Sequence, residues 1–321
     1  MVFLGVDGGG TKTAFTLIGS GGEVLARYQS GTCYYLGIGI RAAREIVQDG
    51  ILKVCRTAEI APDDIGYAFI GLPGYGEIAG DVAQLDAIAA PLLAPSRYRC
   101  DNDMICGWAA GLACGDGINI VAGTGSIAYG ERGDRQARCG GWGDAFGDEG
   151  SAFWLGRQAL GLFAKMADGR LAKGPLYTLL RESYQLGGDL DLCHLVYGQW
   201  RTDRGKIAAV SALAAEAAQM GDSAVRDLFV QAGRELALHV DALRQSLGFA
   251  PGERVAVSWS GGVFNAGSLI LAALEEALNA MSDGYALQPP RYPPHVGAAM
   301  YAARLNGTPL SDAALRLLAA N

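Results

Sequence analysis

The chain opens with short segments rich in hydrophobic residues and separated by turn residues, which is a pattern typical of β-strands. Strands are predicted at residues 3–6, 12–18 and 23–28, and a glycine-rich turn joins the last two. These three segments predict an antiparallel meander. A helical pattern at residues 40–58 and a short apolar segment at 66–70 follow, which predict a helix and a buried strand.

A second meander of the same design is predicted further along the chain. It comes after a helix, a strand at residues 96–100 and a further helix from Met104. Its own strands are predicted at residues 118–121, 127–130 and 136–139. The turns of the two meanders correspond at one constant offset, with Val6, Gly8, Gly10 and Thr11 matched by Val121, Gly123, Gly125 and Ser126. A duplicated supersecondary unit is the simplest account of this correspondence.

The rest of the chain is predicted to be mainly helical, with the plainest helical periodicity at residues 208–220 and 224–247. A strand at residues 254–259 then enters the sequence Ser260-Gly261-Gly262, and a helix is predicted over residues 264–281. Two consecutive prolines introduce a last pair of helices.

Composition supports a globular chain and excludes several classes of partner. Half of the 321 residues are hydrophobic, and the 47 glycines follow no collagen-like period, so disorder is excluded. A net charge of −7 predicts no nucleic-acid partner and no membrane partner. The seven cysteines form no CxxC pair and follow no export signal, so we expect reduced thiols in a cytoplasmic protein.

The glycine-rich turns of the two meanders are candidates for phosphate binding. They are DGGGTKT at residues 7–13 and GTGS at residues 123–126. Glycine lets backbone N–H groups approach phosphate oxygens, and a hydroxyl group adds a donor. Either turn alone could be a plain tight hairpin, whereas two of one design can hold a triphosphate together. The strand-to-helix junction at residues 260–262 has room for an adenine ring.

Asp103 is the candidate catalytic base. It follows a predicted strand and precedes a predicted helix, which is where open α/β sheets bind their ligands. Phosphoryl transfer to an alcohol needs a carboxylate within hydrogen-bond reach of the attacking hydroxyl. Two alternatives stay open, because Asp103 could instead cap the helix and Asp101 competes for the same role.

The segment CGGWGDAFGDEGS at residues 139–151 combines a tryptophan with several glycines and acids. Carboxylates and backbone groups can bind sugar hydroxyls while an aromatic face covers the C–H surface of the ring. The segment is therefore a candidate sugar-binding loop. The alternative is that Asp148 and Glu149 cap the helix that follows.

In their order and spacing, these motifs resemble the BadF/BadG/BcrA/BcrD-type ATPase family, within the actin, Hsp70 and sugar kinase superfamily. The resemblance extends over nearly the whole chain, and its most specific part is GGWG followed by GDEGS. It implies an α/β fold of two ribonuclease H-like (actin-like ATPase) domains around a central cleft, with extra helices in the second domain. The expected domains are residues 1–113 plus 295–321 and residues 114–294.

The resemblance also implies ATP-dependent phosphorylation of the 6-hydroxyl of an amino sugar, with ATP and Mg²⁺ as cofactors. N-acetylglucosamine is the first expectation for the sugar, and a homodimer is an expectation for assembly. Asp103 would be the base and Asp7 would hold Mg²⁺ through water. The residues implied for ATP are Gly9, Gly10, Thr11, Lys12, Thr124, Gly125, Ser126, Gly261 and Gly262. The residues implied for the sugar are Tyr34, Tyr35, Asp103, Gly141, Trp142, Gly143 and Asp148.

One position departs from the pattern of the family. Tyr34 stands where such kinases usually carry an asparagine, and a phenol differs from an amide in reach and in hydrogen bonding. Glucosamine therefore stays an alternative substrate. Two alternatives of another class also stay open, namely an ATPase that activates an acyl-CoA dehydratase and a sugar sensor without turnover.

Overall fold

A computed structural model describes residues 1–320 of the chain. The strands are β1 (Val2–Gly8), β2 (Lys12–Gly19), β3 (Val24–Gly31), β4 (Ile65–Leu72), β5 (Tyr98–Asn102), β6 (Gly117–Ala122), β7 (Ser126–Arg132), β8 (Arg135–Gly140), β9 (Val255–Ser260) and β10 (Tyr285–Leu287). The α-helices are α1 (Tyr35–Ile38), α2 (Ile40–Thr57), α3 (Val82–Asp86), α4 (Met104–Leu112), α5 (Ala152–Ala167), α6 (Pro175–Ser183), α7 (Asp191–Cys193), α8 (Arg204–Gln219), α9 (Ser223–Ser246), α10 (Ser268–Met281), α11 (Pro294–Leu305) and α12 (Asp312–Ala319). A π-helical segment, His194–Gln199, follows α7.

The strands form two five-stranded sheets with the same strand order. The first sheet has the order β3-β2-β1-β4-β5, and the second, with its five strands numbered from β6, has the order β10-β9-β6-β7-β8. The duplicated meander predicted from the sequence is therefore present in both sheets. In the first sheet β1 runs parallel to β4, with Asp7 opposite Gly71, and β4 runs parallel to β5, with Gly71 opposite Asp101. This register brings the ends of β1 and β5 to the same edge of the sheet.

The chain forms two compact units, one of residues 1–119 with the chain from Pro289 onward and one of residues 120–288. In the first unit the side chains of β1 alternate between the two faces of the sheet. Leu4 and Val6 belong to the core that α2 covers. On the other face α11 lies so close to β1 that a Cβ atom at Gly5 would lie 2.5 Å from the carbonyl oxygen of His295. Both faces of this sheet are therefore buried.

The second unit carries most of the helices. Its longest helix, α9, packs on β7, β8 and α10, and buries a stripe that includes Phe229, Leu236 and Val240. Helix α5 packs along α8. No helix among residues 1–320 is both long enough and apolar enough to span a membrane.

Two predicted elements begin later in the structure, and one strand was not predicted. The strand predicted at residues 96–100 begins only at Tyr98, because Pro95–Arg97 forms a 3₁₀ turn that proline favours at its first position. The helix predicted from residue 264 begins at Ser268, after a 3₁₀ turn at Gly262–Ala266. The short strand β10 was not predicted, because three residues are too few to show a period.

Candidate active site

Asp103 lies at the end of β5, directly before α4, and its side chain makes no capping hydrogen bond to the helix. The neighbouring residue takes this role, since Asn102 Oδ1 accepts a hydrogen bond from the Met104 amide at 3.1 Å. Asn102 Nδ2 also donates to the carbonyl of Tyr75 at 3.3 Å, which fixes the strand end. The interpretation of Asp103 as a side-chain helix cap is therefore wrong, and its carboxylate is available for chemistry.

Asp101, the competing candidate for the base, is engaged elsewhere. Its carboxylate pairs with the guanidinium of Arg99 at 2.5 Å and accepts a hydrogen bond from the Asn102 amide at 2.8 Å. These two interactions occupy the carboxylate of Asp101, whereas that of Asp103 makes no side-chain capping bond. The geometry therefore favours Asp103 over Asp101.

Asp7 and Asp103 form an electrostatically coupled pair. Burial raises the pKa of Asp7 to about 8, and the charge of Asp103 contributes to this rise, while a hydrogen bond from the Cys106 thiol opposes it. Burial likewise raises the pKa of Asp103 to about 7, with a smaller contribution from the charge of Glu77. A base works best when its pKa lies near the working pH, and Asp103 meets this condition.

Stability of the ligand-free protein is expected to fall between about pH 4 and pH 8 through these two acids. The unfolded chain releases both protons near the ordinary pKa of 3.8, whereas the folded chain keeps them up to about 8 and about 7. The folded state binds more protons than the unfolded chain in this window. The contribution of the two protonated acids to stability is therefore complete below about pH 4 and is lost as the pH rises through their folded pKa values. Asp103→Asn should flatten the decline, by at most about 4 kcal/mol, in urea unfolding measured across the window. A decline as steep as that of the unmodified chain would contradict the burial of this carboxylate.

The first glycine turn is a tight hairpin tied to the loop that carries Tyr34. The Gly9 amide donates to the carbonyl of Lys12 at 2.8 Å. Thr32 Oγ1 donates to the carbonyl of Gly9 at 2.7 Å and accepts a hydrogen bond from the Tyr34 amide at 3.0 Å. Gly10, Thr11 and Lys12 are exposed at the tip, so the turn presents its polar groups to solvent.

The two tyrosines predicted at the sugar lie in different surroundings. Tyr34 is half-buried. Tyr35 is in the core, where its hydroxyl donates to the carbonyl of Gly74 at 3.4 Å. Tyr34 is therefore the one of the pair with surface left for a ligand.

The second glycine turn is fixed to the start of α5. The amides of Ala152 and Phe153 donate to the carbonyls of Gly123 and Thr124 at 2.8 and 3.3 Å. The side chain of Thr124 is left exposed, and Gly125 is half-buried. Backbone groups that would otherwise be free at a helix start thus hold the turn in shape.

Ser126 connects this turn to the candidate sugar-binding loop. Its amide donates to Asp148 Oδ1 at 3.4 Å, and its hydroxyl donates to the carbonyl of Glu149 at 2.7 Å. Its carbonyl accepts a hydrogen bond from the Gly141 amide at 2.9 Å. Ser126 is buried, so these bonds give it a structural role besides the predicted contact with ATP.

The loop itself is open on its aromatic side and closed at its base. Trp142 is 66% exposed and Phe146 is 77% exposed, so both rings have apolar surface available for a ligand. The guanidinium of Arg138 lies 5.7 Å from the centre of the Trp142 ring. The half-buried Gly141 and Gly143 flank Trp142 with φ angles of +70° and +90°.

The alternative that the loop acids cap α5 is wrong for Asp148. Ser151 is the cap, because its Oγ accepts a hydrogen bond from the Trp154 amide at 3.1 Å. The carboxylate of Asp148 is buried, and it pairs with Arg204 at the start of α8. Burial raises the pKa of Asp148, and the charge of Arg204 opposes this rise.

The glycine junction after β9 borders a cavity of about 600 Å³ in the second unit. Gly262 and Asn265 form one wall, and α5 and α8 supply much of the rest, including Leu155, Ser211 and Ala215. Small-molecule sites have volumes of this order and combine apolar walls with a few polar groups. The cavity can therefore accept a nucleoside beside the predicted Gly261-Gly262 junction.

A profile of the BadF/BadG/BcrA/BcrD ATPase family matches residues 4–302. The chain belongs to this family. The match includes both glycine turns, the candidate base and the Trp142 loop, so the family implied by the motifs is confirmed.

Two relatives are similar to most of this chain. The N-acetyl-D-glucosamine kinase of Dictyostelium discoideum is 32% identical over 272 residues, which cover 81% of this chain and 85% of that protein. The N-acetylmuramic acid/N-acetylglucosamine kinase of Clostridium acetobutylicum is 27% identical over 263 residues, with 82% and 85% covered.

A solved structure with the same fold covers almost the whole chain. The crystal structure of a proposed N-acetylglucosamine kinase from Chromobacterium violaceum has a TM-score of 0.74 at 24% identity, and covers 99% of this chain and 98% of that one. The predicted α/β fold of the actin-like sugar kinases is thereby confirmed.

Several residues of this BadF/BadG/BcrA/BcrD-family site were not found by sequence reasoning. Asn102 could have been found, because an asparagine two residues before a predicted helix is an ordinary capping signal. Thr32 and Arg204 could not, since each is distant in sequence from the residue that it holds. The α8 side of the cavity was missed for the same reason, because its small residues look like those of any packed helix.

Proposed function

We propose that this chain is an ATP-dependent kinase that phosphorylates the 6-hydroxyl of N-acetylglucosamine. The observation that carries the proposal is the carboxylate of Asp103, which directly follows the edge strand β5, makes no capping bond and has a raised pKa. Two relatives of the same family that are named as kinases of this sugar support the choice of substrate. Glucosamine is the alternative substrate, because Tyr34 stands where such kinases usually carry an asparagine.

ATP would be bound by backbone donors and by the cavity. In the first unit the exposed turn of Gly10, Thr11 and Lys12 supplies polar groups for phosphate oxygens. In the second unit the turn that carries Thr124 does the same, and the nucleoside would enter the cavity beside Gly262. The three features use glycine for one reason, which is close approach of backbone to ligand.

The residues at the end of β1 and β5 fit a Mg²⁺ ion bound with the phosphates. Burial makes ionisation of Asp7 and of Asp103 unfavourable, and the charge of Asp103 adds to this effect at Asp7. A nearby cation would favour the ionised form of both carboxyl groups. Mg²⁺ in kinase sites takes one or two carboxylates together with phosphates and water, and Asp7 would hold it through water. The ion would neutralise charge on the phosphoryl oxygens.

In the proposed reaction, Asp103 in its ionised form accepts the proton of the sugar 6-hydroxyl. The sugar oxygen then forms a bond to the γ-phosphorus while the bond from that phosphorus to the bridging oxygen of ADP breaks. Trp142 would cover the C–H face of the sugar ring, with Gly141, Gly143 and Asp148 beside it. The products are the sugar 6-phosphate and ADP.

The proposal also includes the finer expectations about organisation. These are domains at residues 1–113 plus 295–321 and 114–294, a cytoplasmic location, a homodimer, and no nucleic-acid or membrane partner. The negative net charge of −7 supports the expectation that nucleic acid is not a partner.

The test is an ATP-consumption screen over N-acetylglucosamine, glucosamine, N-acetylmannosamine and glucose with the purified protein. The proposal predicts the highest kcat/KM on N-acetylglucosamine. Sugar binding without turnover on any of the four would favour the sensor instead. A brown colour and visible absorption after anaerobic purification would favour the dehydratase activator, which needs an iron-sulfur cluster.

A further inference from the structure

Two neighbouring carboxylates of the candidate sugar-binding loop differ sharply in their surroundings. Asp148 is 3% exposed, and the Ser126 amide and the guanidinium of Arg204 engage its carboxylate. The side chain of Glu149 keeps 37% of its surface exposed. Within residues 1–320, the basic side chain with a nitrogen inside 4 Å of its carboxylate is His239. Asp148 is thus committed to the fold, whereas Glu149 has surface available for a ligand.

His239 is a buried polar residue that is only partly satisfied. It lies on α9 and is 9% exposed, with Nε2 3.8 Å from Glu149 Oε2. Its Nδ1 has no hydrogen-bond partner in the described part of the chain. Buried polar atoms are nearly always paired, so an unpaired one costs stability and calls for an explanation. The other ring nitrogen, Nε2, is the one that lies toward Glu149.

The position of the His239 ring is fixed by the base of the loop. A Cβ atom at Gly140 would lie 3.1 Å from His239 Cε1 and 3.2 Å from Nε2, so a larger residue there would press on the ring. Burial lowers the pKa of His239, against the opposing charge of Glu149, so the ring is neutral at neutral pH. A neutral imidazole has one N–H, and only Nε2 faces an acceptor here.

The backbone of Glu149 is tied to the residue that also holds the backbone directly before Trp142. Ser126 holds both ends of the loop, since it accepts a hydrogen bond from the Gly141 amide and donates one to the carbonyl of Glu149. Ser126 therefore connects the backbone of Glu149 to the backbone beside Trp142. A carboxylate at this point can meet a sugar that stacks on the exposed indole.

We propose that Glu149 is a sugar-contacting residue whose carboxylate accepts a hydrogen bond from a sugar hydroxyl, and that His239 is its positioning residue. The inference rests on the proposed function and deepens it by naming a second polar contact to the sugar. It gives Asp148 the task of holding the loop through Ser126 and Arg204, in addition to any contact with the sugar.

The test compares steady-state constants of matched variants. Glu149→Gln keeps the shape of the side chain and removes its charge, so KM for the sugar should rise by about tenfold or more while KM for ATP stays unchanged. The matched control is Glu276→Gln, which removes the charge of an exposed carboxyl group on α10. It should leave KM for the sugar within about twofold.

The positioning role of His239 has its own readout in a double-mutant cycle. His239→Leu alone should raise KM for the sugar, and His239→Gln, which keeps an N–H donor, should restore part of the loss. Combined with Glu149→Gln, His239→Leu should add nothing further, because the group that it positions is already altered. Additive effects would overturn the positioning role. If His239→Leu does not fold, the cycle is run with His239→Gln, whose smaller loss should likewise vanish in the Glu149→Gln background.

The outcomes separate this inference from the proposed function. An active unmodified protein with an unchanged sugar KM in Glu149→Gln would overturn the inference and leave the proposed function intact. An equal rise in KM for both substrates would also overturn it, since a general distortion would be the cause. If the unmodified protein neither binds nor phosphorylates an amino sugar, both fail together.

Discussion

The Asp103→Asn variant is expected to phosphorylate amino sugar at least about a hundredfold more slowly than the unmodified protein, and up to about ten-thousandfold. The substitution keeps the size of the side chain and removes its capacity to accept the proton of the 6-hydroxyl. Asp103 makes no capping bond to α4, so the substitution does not remove a helix cap. The affinity for ATP, measured by calorimetry, should stay within about threefold, because the two glycine turns and the cavity are unchanged.

Asp101→Asn is the matched control for this experiment. It changes an aspartate two positions earlier, which pairs with Arg99 at 2.5 Å. We expect its kcat to fall less than about tenfold, because breaking a partly exposed ion pair disturbs the fold only slightly. Equal losses in both variants would contradict the assignment of the base to Asp103.

Gly261→Ala is expected to destabilise the protein by about 2–4 kcal/mol, whereas Gly262→Ala should leave stability within about 0.5 kcal/mol. Gly261 has a φ angle of +104°. A Cβ atom there would lie 2.5 Å from the carbonyl carbon of Ala122 and 2.8 Å from the Gly123 amide nitrogen. These are backbone atoms beside the second glycine turn and cannot rotate away. At Gly262 a Cβ atom would meet no other atom within 4 Å.

The same pair of variants separates packing from binding. Gly262 lines the cavity, so Gly262→Ala should weaken ATP binding in a protein of normal stability. Urea unfolding and calorimetry with ATP, applied to both variants, measure the two effects. Normal stability of Gly261→Ala would contradict the close approach of β9 to β6, and normal ATP affinity of Gly262→Ala would contradict the use of the cavity by the nucleotide.

Local sequence signals were sufficient for much of this fold. The strands of both meanders are short segments rich in apolar residues, and their turns carry glycine at corresponding positions, so the duplicated unit could be predicted before the sheets were known. The start of α4 was predicted correctly from the polar residues before it, whereas β5 extends two residues beyond its predicted end. Elements with a sustained hydrophobic pattern and clear start and stop signals are the easiest to predict.

What could not be predicted depends on contacts between distant segments. The pairing of Asp148 with Arg204 joins residues 56 positions apart. The cavity needs α5, α8 and the junction after β9 to meet, and no local pattern states this. The 3₁₀ turn before α10 was missed because its apolar residues, such as Phe264, continue the helical pattern. A single glycine, Gly267 at φ +61°, interrupts the helix there.

The most direct test of the account is the identification of the product of ATP and N-acetylglucosamine by ³¹P and ¹H NMR. The account predicts N-acetylglucosamine 6-phosphate, formed in equal amount with ADP, and formation of this product at least about a hundredfold more slowly by Asp103→Asn. Phosphate on the anomeric carbon, or ATP hydrolysis to inorganic phosphate with the sugar unchanged, would contradict it.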